Sequence, residues 1–195
     1  MLACGSNIEA GSDTTAVALS SALYLLYSNP DKLAKLRKEI DIKAADGSIS
    51  DPLTFQEAQN MTYLQAVMKE TLRLHPAVGT ILPRIVPRSG IELSGHYFPA
   101  GTEVGLNAWV LHNSRDTYGP DPEVFRPERW IGHERTSIID SMMNISLLEL
   151  TKVVPEIVRK VDLELEHPGK PLETTCVWFV YPRYSGWFKV RDSKA

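Results

Sequence analysis

The apolar residues of this chain change their period near residue 77. Before it they recur at helical spacing; beyond it they fall into short alternating runs punctuated by Gly and Pro. Val17, Leu19, Leu23, Leu25 and Leu26 occupy too many sides for a surface stripe, so Thr14–Tyr27 is predicted to be a buried helix. Two readings stand for Ala10-Gly-Ser-Asp-Thr-Thr15. Ser12 or Asp13 could cap the helix N-terminus, which the spacing favours. Alternatively the helix runs through the motif and bulges there, where Gly11 opens the backbone and Asp13 and Thr14 compete for its hydrogen bonds.

Asn29-Pro30 opens a second helix, with Pro at its first position and Leu33, Leu36 and Ile40 on its apolar face. Asp46–Pro52 is a loop, and Thr54-Phe-Gln-Glu57 is a capping box for a short helix. Thr62–Leu74 forms the next helix, ended by Pro76. Glu70 and Arg73 share one face of it and are ringed by Val67, Met68, Leu72 and Leu74. A charge pair in that setting is buried, and a buried pair persists only inside a satisfied network.

Ile81–Pro87, Ile91–Pro99 and Thr102–Asn107 read as extended runs joined at Ser94-Gly95 and Pro99–Gly101: a small antiparallel sheet. Ala108–His112 starts a short helix. Asp116–Trp130, with Pro120, Pro122 and Pro127, reads as a packed irregular meander. Ile131–Met143 has no clear period. Asn144–Val161 is an amphipathic helix capped by Asn144 and interrupted by Pro155, and the tail predicts a hairpin about Tyr184-Ser-Gly186. The fold class is mainly α with a small antiparallel β-sheet, in a single partial domain over 1–195 without a closed core.

Composition narrows the function. The 195 residues carry a net charge of -3, with no basic field for nucleic acid. No apolar run reaches the length of a membrane span. Two cysteines, Cys4 and Cys176, are too few for a disulfide framework or a cysteine zinc site. Met1 stands almost on top of a motif-rich segment, so an upstream part of the domain is expected to be missing.

Three stretches resemble one family. Ala10–Thr15 resembles the oxygen-groove motif of cytochromes P-450, Glu70-Thr-Leu-Arg73 their Glu-x-x-Arg motif, and Phe125-Arg-Pro-Glu-Arg-Trp130 their meander motif. They come in the family's order, and the texture is similar to that of fungal members. The resemblance implies a truncated cytochrome P-450 fold and a haem-dependent monooxygenase, which inserts one oxygen atom from O2 into a small organic substrate. It implies haem as cofactor, an NADPH-dependent reductase as electron donor, and the cytosolic face of the endoplasmic reticulum for full-length members. For this chain alone the expectation is cytoplasmic.

The resemblance also implies residue roles. Asp13 and Thr14 are the catalytic pair for proton delivery and oxygen binding. Gly11, Arg84 and His112 lie against the cofactor, with Arg84 on a propionate. Glu70, Arg73 and Arg129 form a structural triad. The family's iron ligand is a cysteine thiolate in a glycine-rich loop after the meander. Between about residues 131 and 144 this chain has no cysteine, so the ligand loop is read as missing and no residue is assigned to the metal. Cys4 precedes the oxygen-groove motif and Cys176 lies in the tail; His133, Met142 and Met143 are read as surface or junction residues. The alternative to an enzyme is therefore a non-enzymatic remnant or mis-spliced product.

Overall fold

The computed structural model describes residues 2–132, 145–176 and 178–191. Helix α1 (Leu2–Tyr27) runs unbroken through Ala10–Thr15, so the motif is not an N-cap, nor is there a bulge in it. Thr14 Oγ1 turns back towards the carbonyl of Gly11 at 3.5 Å, the local bonding that lets a threonine sit inside a helix.

Helix α2 (Pro30–Ala45) begins with its proline at the first turn; Asn29 leaves the cap and donates instead to the carbonyl of Leu25 at 2.7 Å. Helix α3 (Phe55–Gln59) carries the predicted capping box, with both reciprocal bonds between Thr54 and Glu57 made. Helix α4 (Thr62–Leu74) ends one residue before His75-Pro76. Short helices α5 (Ala108–Leu111) and α6 (Arg115–Tyr118) precede a 3₁₀ turn, Pro127–Trp130, and helix α7 (Ile145–Lys160) contains Pro155 without ending at it. Asn144, the proposed cap of α7, and residues 133–143 lie outside the described residues.

The extended part forms two-stranded antiparallel ladders rather than one sheet. Strand β1 (Arg84–Ile85) pairs with β4 (Glu103–Val104), and β2 (Ile91–Leu93) with β3 (His96–Phe98). The β2–β3 turn puts Ser94 and Gly95 both at positive φ, 51° and 77°, the conformation of a tight hairpin turn.

The tail departs from expectation. No hairpin closes about Tyr184–Gly186. Strand β7 (Val180–Arg183) pairs with β6 (Glu173–Cys176), and β8 (Gly186–Val190) pairs with β5 (Val161–Leu165). Val161-Asp-Leu-Glu-Leu165 alternates apolar and polar at strand period directly after α7, and this signal outweighs the local turn. Leu163 and Leu165 of β5 then pack on Leu23 of α1.

A core does close around these helices. Ala18, Ala22 and Leu26 of α1, Leu36 and Ile40 of α2, Leu64, Val67 and Met68 of α4, and Leu150, Val154 and Val158 of α7 form one contiguous cluster. Helix α7 supplies the cover for α1 that the sequence alone did not reveal. Arg37 ties the two ends together, donating to the carbonyl of Val158 at 3.3 Å and pairing with Asp162, while the Tyr27 hydroxyl reaches the carbonyl of Val161 at 2.6 Å.

Candidate functional site: a buried carboxylate and an open arginine face

Glu70 is fully buried on α4, with 0% of its surface exposed, and Arg73 is 1% exposed. The i, i+3 spacing lets the guanidinium meet the carboxylate side-on: Arg73 Nε donates to Oε2 at 2.9 Å and Nη2 to Oε1 at 2.8 Å. Three further donors arrive from the meander. The amide of Arg126 and Nε of Arg129 each reach Oε1 at 3.0 Å, and Trp130 Nε1 reaches Oε2 at 2.8 Å. The carboxylate therefore accepts five hydrogen bonds, more than its four lone-pair directions.

Two buried guanidinium groups face one carboxylate, so a positive charge remains to be compensated. Backbone carbonyls do this. Arg73 Nη1 donates to the carbonyl of His112 at 2.7 Å. Arg129 donates to the carbonyls of Tyr118 at 2.7 Å and Asp121 at 3.0 Å, with the Asp121 carboxylate 3.8 Å away. The Tyr118 ring lies under the Arg73 guanidinium at 4.8 Å, a cation–π contact. His112 closes the ring of contacts: its Nδ1–H donates to the carbonyl of Arg73 at 3.0 Å. Burial, the largest influence, pushes the His112 pKa down, which favours the neutral ring needed in this position.

The 3₁₀ turn is held from its other side as well. Glu128 pairs with Lys35 and with Lys32 at 3.4 Å, and accepts from the Tyr63 hydroxyl at 3.2 Å. Partial burial acts to raise the Glu128 pKa, but the lysines and its own backbone amide override it and hold it at about 2. Sequence reasoning missed Trp130, Tyr118 and Glu128 as members of this site. The paired apolar and charged character of Phe125–Trp130 was their visible signal.

The remaining residues read from sequence lie elsewhere. Gly11 and Thr14 are half-buried on α1, and Asp13 is exposed. The Tyr181 phenol of β7 is hydrogen-bonded to Asp13; partial burial and then that carboxylate raise the tyrosine pKa. Beside this contact the segment 77–80 pairs with the β6–β7 turn, through Gly79 N to the carbonyl of Trp178 at 3.2 Å and Val180 N to the carbonyl of Ala77 at 2.9 Å. His75 is buried and donates from Nε2 to the carbonyl of Val180 at 2.7 Å, fixing the end of α4 to β7. A Cβ at Gly79 would come within 2.6 Å of Cys176 Sγ, so this thiol is packed against the 77–80 segment.

Arg84 stands on the exposed strand β1. It donates to its neighbour's carbonyl, that of Pro83, at 2.9 Å, and among the described residues no carboxylate pairs with it. Its sequence neighbours Ile81, Leu82 and Ile85, and Leu106 and Val110 beyond β4, are exposed at 54%, 42%, 70%, 72% and 73%. No group of His, Cys, Asp and Glu among the described residues is arranged to hold a metal ion, and none of the described helices is long and apolar enough to cross a membrane.

The family model described as Cytochrome P450 matches residues 1–161. A pisatin demethylase of Fusarium vanettenii is 46% identical over 201 residues, covering 97% of this chain and 39% of that protein. A cytochrome P450 monooxygenase of Emericella nidulans is 41% identical over 191 residues, 91% of this chain and 38% of its own length. The chain thus spans about two fifths of these relatives. A crystal structure of a cytochrome P450 superposes with a TM-score of 0.74 over 95% of this chain and 44% of its own, at 24% identity.

Replacing Glu70 by Ala strands two buried guanidinium groups and is expected to cost about 3–5 kcal/mol, near the whole stability of a small domain. Urea unfolding followed through tryptophan fluorescence measures it; a loss under about 1 kcal/mol would mean the network is not buried in solution. A second expectation concerns pH. Glu128 has a folded pKa of about 2 against an ordinary 4.5, so its contribution is present above pH 4.5 and is lost as pH falls towards 2. The gap in urea midpoint between the parent and Glu128→Gln should therefore be constant near neutrality and shrink below pH 4.5.

Proposed function

The chain belongs to the cytochrome P450 family, and from that premise we propose that it derives from a haem-dependent monooxygenase acting on a small organic substrate. The single observation that carries this is the Glu70 network, which joins the two motif arginines and the motif tryptophan on one buried carboxylate. In this reading Glu70, Arg73 and Arg129 fix the meander, Asp13 and Thr14 belong to the oxygen side of α1 with Gly11 beneath them, and Arg84 takes a carboxylate of the cofactor. His112 supports the network through Arg73. An NADPH-dependent reductase and the cytosolic face of the endoplasmic reticulum belong to the same proposal for the whole protein.

The residues fit one part of haem and not the other. An exposed arginine without a carboxylate partner among the described residues, near exposed aliphatic side chains, suits an apolar ring bearing carboxylates. The iron is not suited. Its thiolate should come after the meander, and residues 131–144 contain no cysteine. Cys176 is free and exposed on β6 beside Gly79, far along the chain from the meander, and Cys4 stands in the first turns of α1. We therefore assign no oxygen-insertion step to this chain.

A second reading, a mis-spliced or decayed product, is favoured by one observation. The match to the Fusarium protein runs over 201 residues, more than the 195 of the entire chain, so that relative holds residues this chain lacks inside the matched span.

Two measurements separate these readings. The chain mixed with haemin, reduced and exposed to CO should give no thiolate-type shift of the haem band; such a shift would overturn the claim that no cysteine ligates the iron. Genomic DNA between the codons for Met143 and Asn144 should, if the product is mis-spliced, encode a glycine-rich loop with a cysteine. Directly adjoining codons would establish a true loss.

A further inference from the structure

Haem proteins recognise their cofactor by two separable means: a bond to the metal, and contacts with the ring and its carboxylates. This chain holds the second without the family's version of the first. The register of the β1–β4 ladder sets Arg84 opposite Val104 and Ile85 opposite Glu103. Cross-strand partners share a face, so Arg84 and Val104 project together and Glu103 lies on the opposite side. The nearest acid in the ladder is thereby kept off the guanidinium. Leu82 and Leu106, which the same register would set opposite one another beyond the Arg84 end of the ladder, are both exposed. The strands are held tightly side by side here: a Cβ at Gly105 would meet Ile81 Cγ2 at 2.5 Å and the Leu82 carbonyl at 3.1 Å. The ladder thus presents exposed aliphatic side chains on one side of a guanidinium that no described carboxylate pairs with. Its complement is a flat apolar molecule with a carboxylate on its edge.

We infer that this chain recognises the porphyrin by its ring and carboxylate and is indifferent to the metal, so that iron-free protoporphyrin binds as well as haemin. The inference rests on the reading of Arg84 as a carboxylate partner given above and adds to it the loss of metal discrimination. Its physical ground is the absence of a cysteine from residues 131–144, the span that follows the meander. With no cysteine presented after the meander, iron gains nothing over two protons at the ring centre. A charge-assisted contact through Arg84 is then the main polar term.

The test uses the whole chain and three probes: haemin, iron-free protoporphyrin IX, and protoporphyrin IX dimethyl ester, whose carboxylates are masked. Binding is read from tryptophan quenching and, for haemin, from the absorption spectrum. Haemin and iron-free protoporphyrin should have dissociation constants within about threefold of one another, where a metal–ligand bond worth several kcal/mol would separate them by a hundredfold or more. Arg84→Gln should weaken both free acids by about tenfold, the worth of one charged hydrogen bond, and leave the ester unaffected. Arg84 is exposed, and an unchanged urea midpoint of the variant verifies that its fold is intact.

Haemin binding tenfold or more above the iron-free ring, with a ligand-field band in its spectrum, would overturn the inference while leaving the porphyrin reading intact. His133→Ala and Cys176→Ser would then identify the ligand. Binding of neither porphyrin, or equal binding by Arg84→Gln, would overturn the underlying assignment of Arg84 together with the inference.

Discussion

A fully buried carboxylate must find its counter-charges and donors within the chain, and Glu70 draws them from three separate stretches of sequence. Arg73 comes from its own helix, Arg126, Arg129 and Trp130 from the meander, and the compensating carbonyls of His112, Tyr118 and Asp121 from the segment between. Desolvation makes each missing partner expensive, so the network is close to all-or-none. An irregular, proline-rich segment that could form no ladder of its own acquires one conformation in this way. Glu128 reinforces it from the opposite side through the lysines of α2.

The network also explains why helix and meander can be distant in sequence but rigid together. Helix propensity sets α4, and the apolar faces of α1, α2 and α7 bury it. Neither term orients residues 118–130. Specific polar bonds do, at a site where every alternative pairing leaves a buried charge uncovered. Apolar packing supplies the free energy, and the buried charges select which arrangement receives it.

Much of this was legible in the chain. The capping box at Thr54, the limits of α4 and the character of the meander arise from local chemistry, which the fold leaves undisturbed. The failures came where tertiary pairing overrode a local signal. Gly11-Ser-Asp-Thr14 carries cap residues, yet α1 passes through them because Val17, Ala18, Ala22 and Leu26 are needed inside the core. Tyr184-Ser-Gly186 carries turn residues, yet β8 pairs with β5, across the intervening β6 and β7, because the buried Leu163 and Leu165 anchor β5 on α1. Trp130 was read as a packed aromatic and proved to be a hydrogen-bond donor, since an indole N–H can serve a buried acceptor that composition does not reveal.

The Glu70 network and the helix core draw on different sets of contacts. Every described partner of Glu70 lies at or before Trp130, and α7 packs on α1, α2 and α4 through Leu150, Val154 and Val158. None of these contacts calls on residues 131–144. The same separation applies to the Arg84 face, which is preformed by the β1–β4 register independently of the residues after the meander. The network and the ladder rest on different parts of the same scaffold, so a change in one need not propagate to the other.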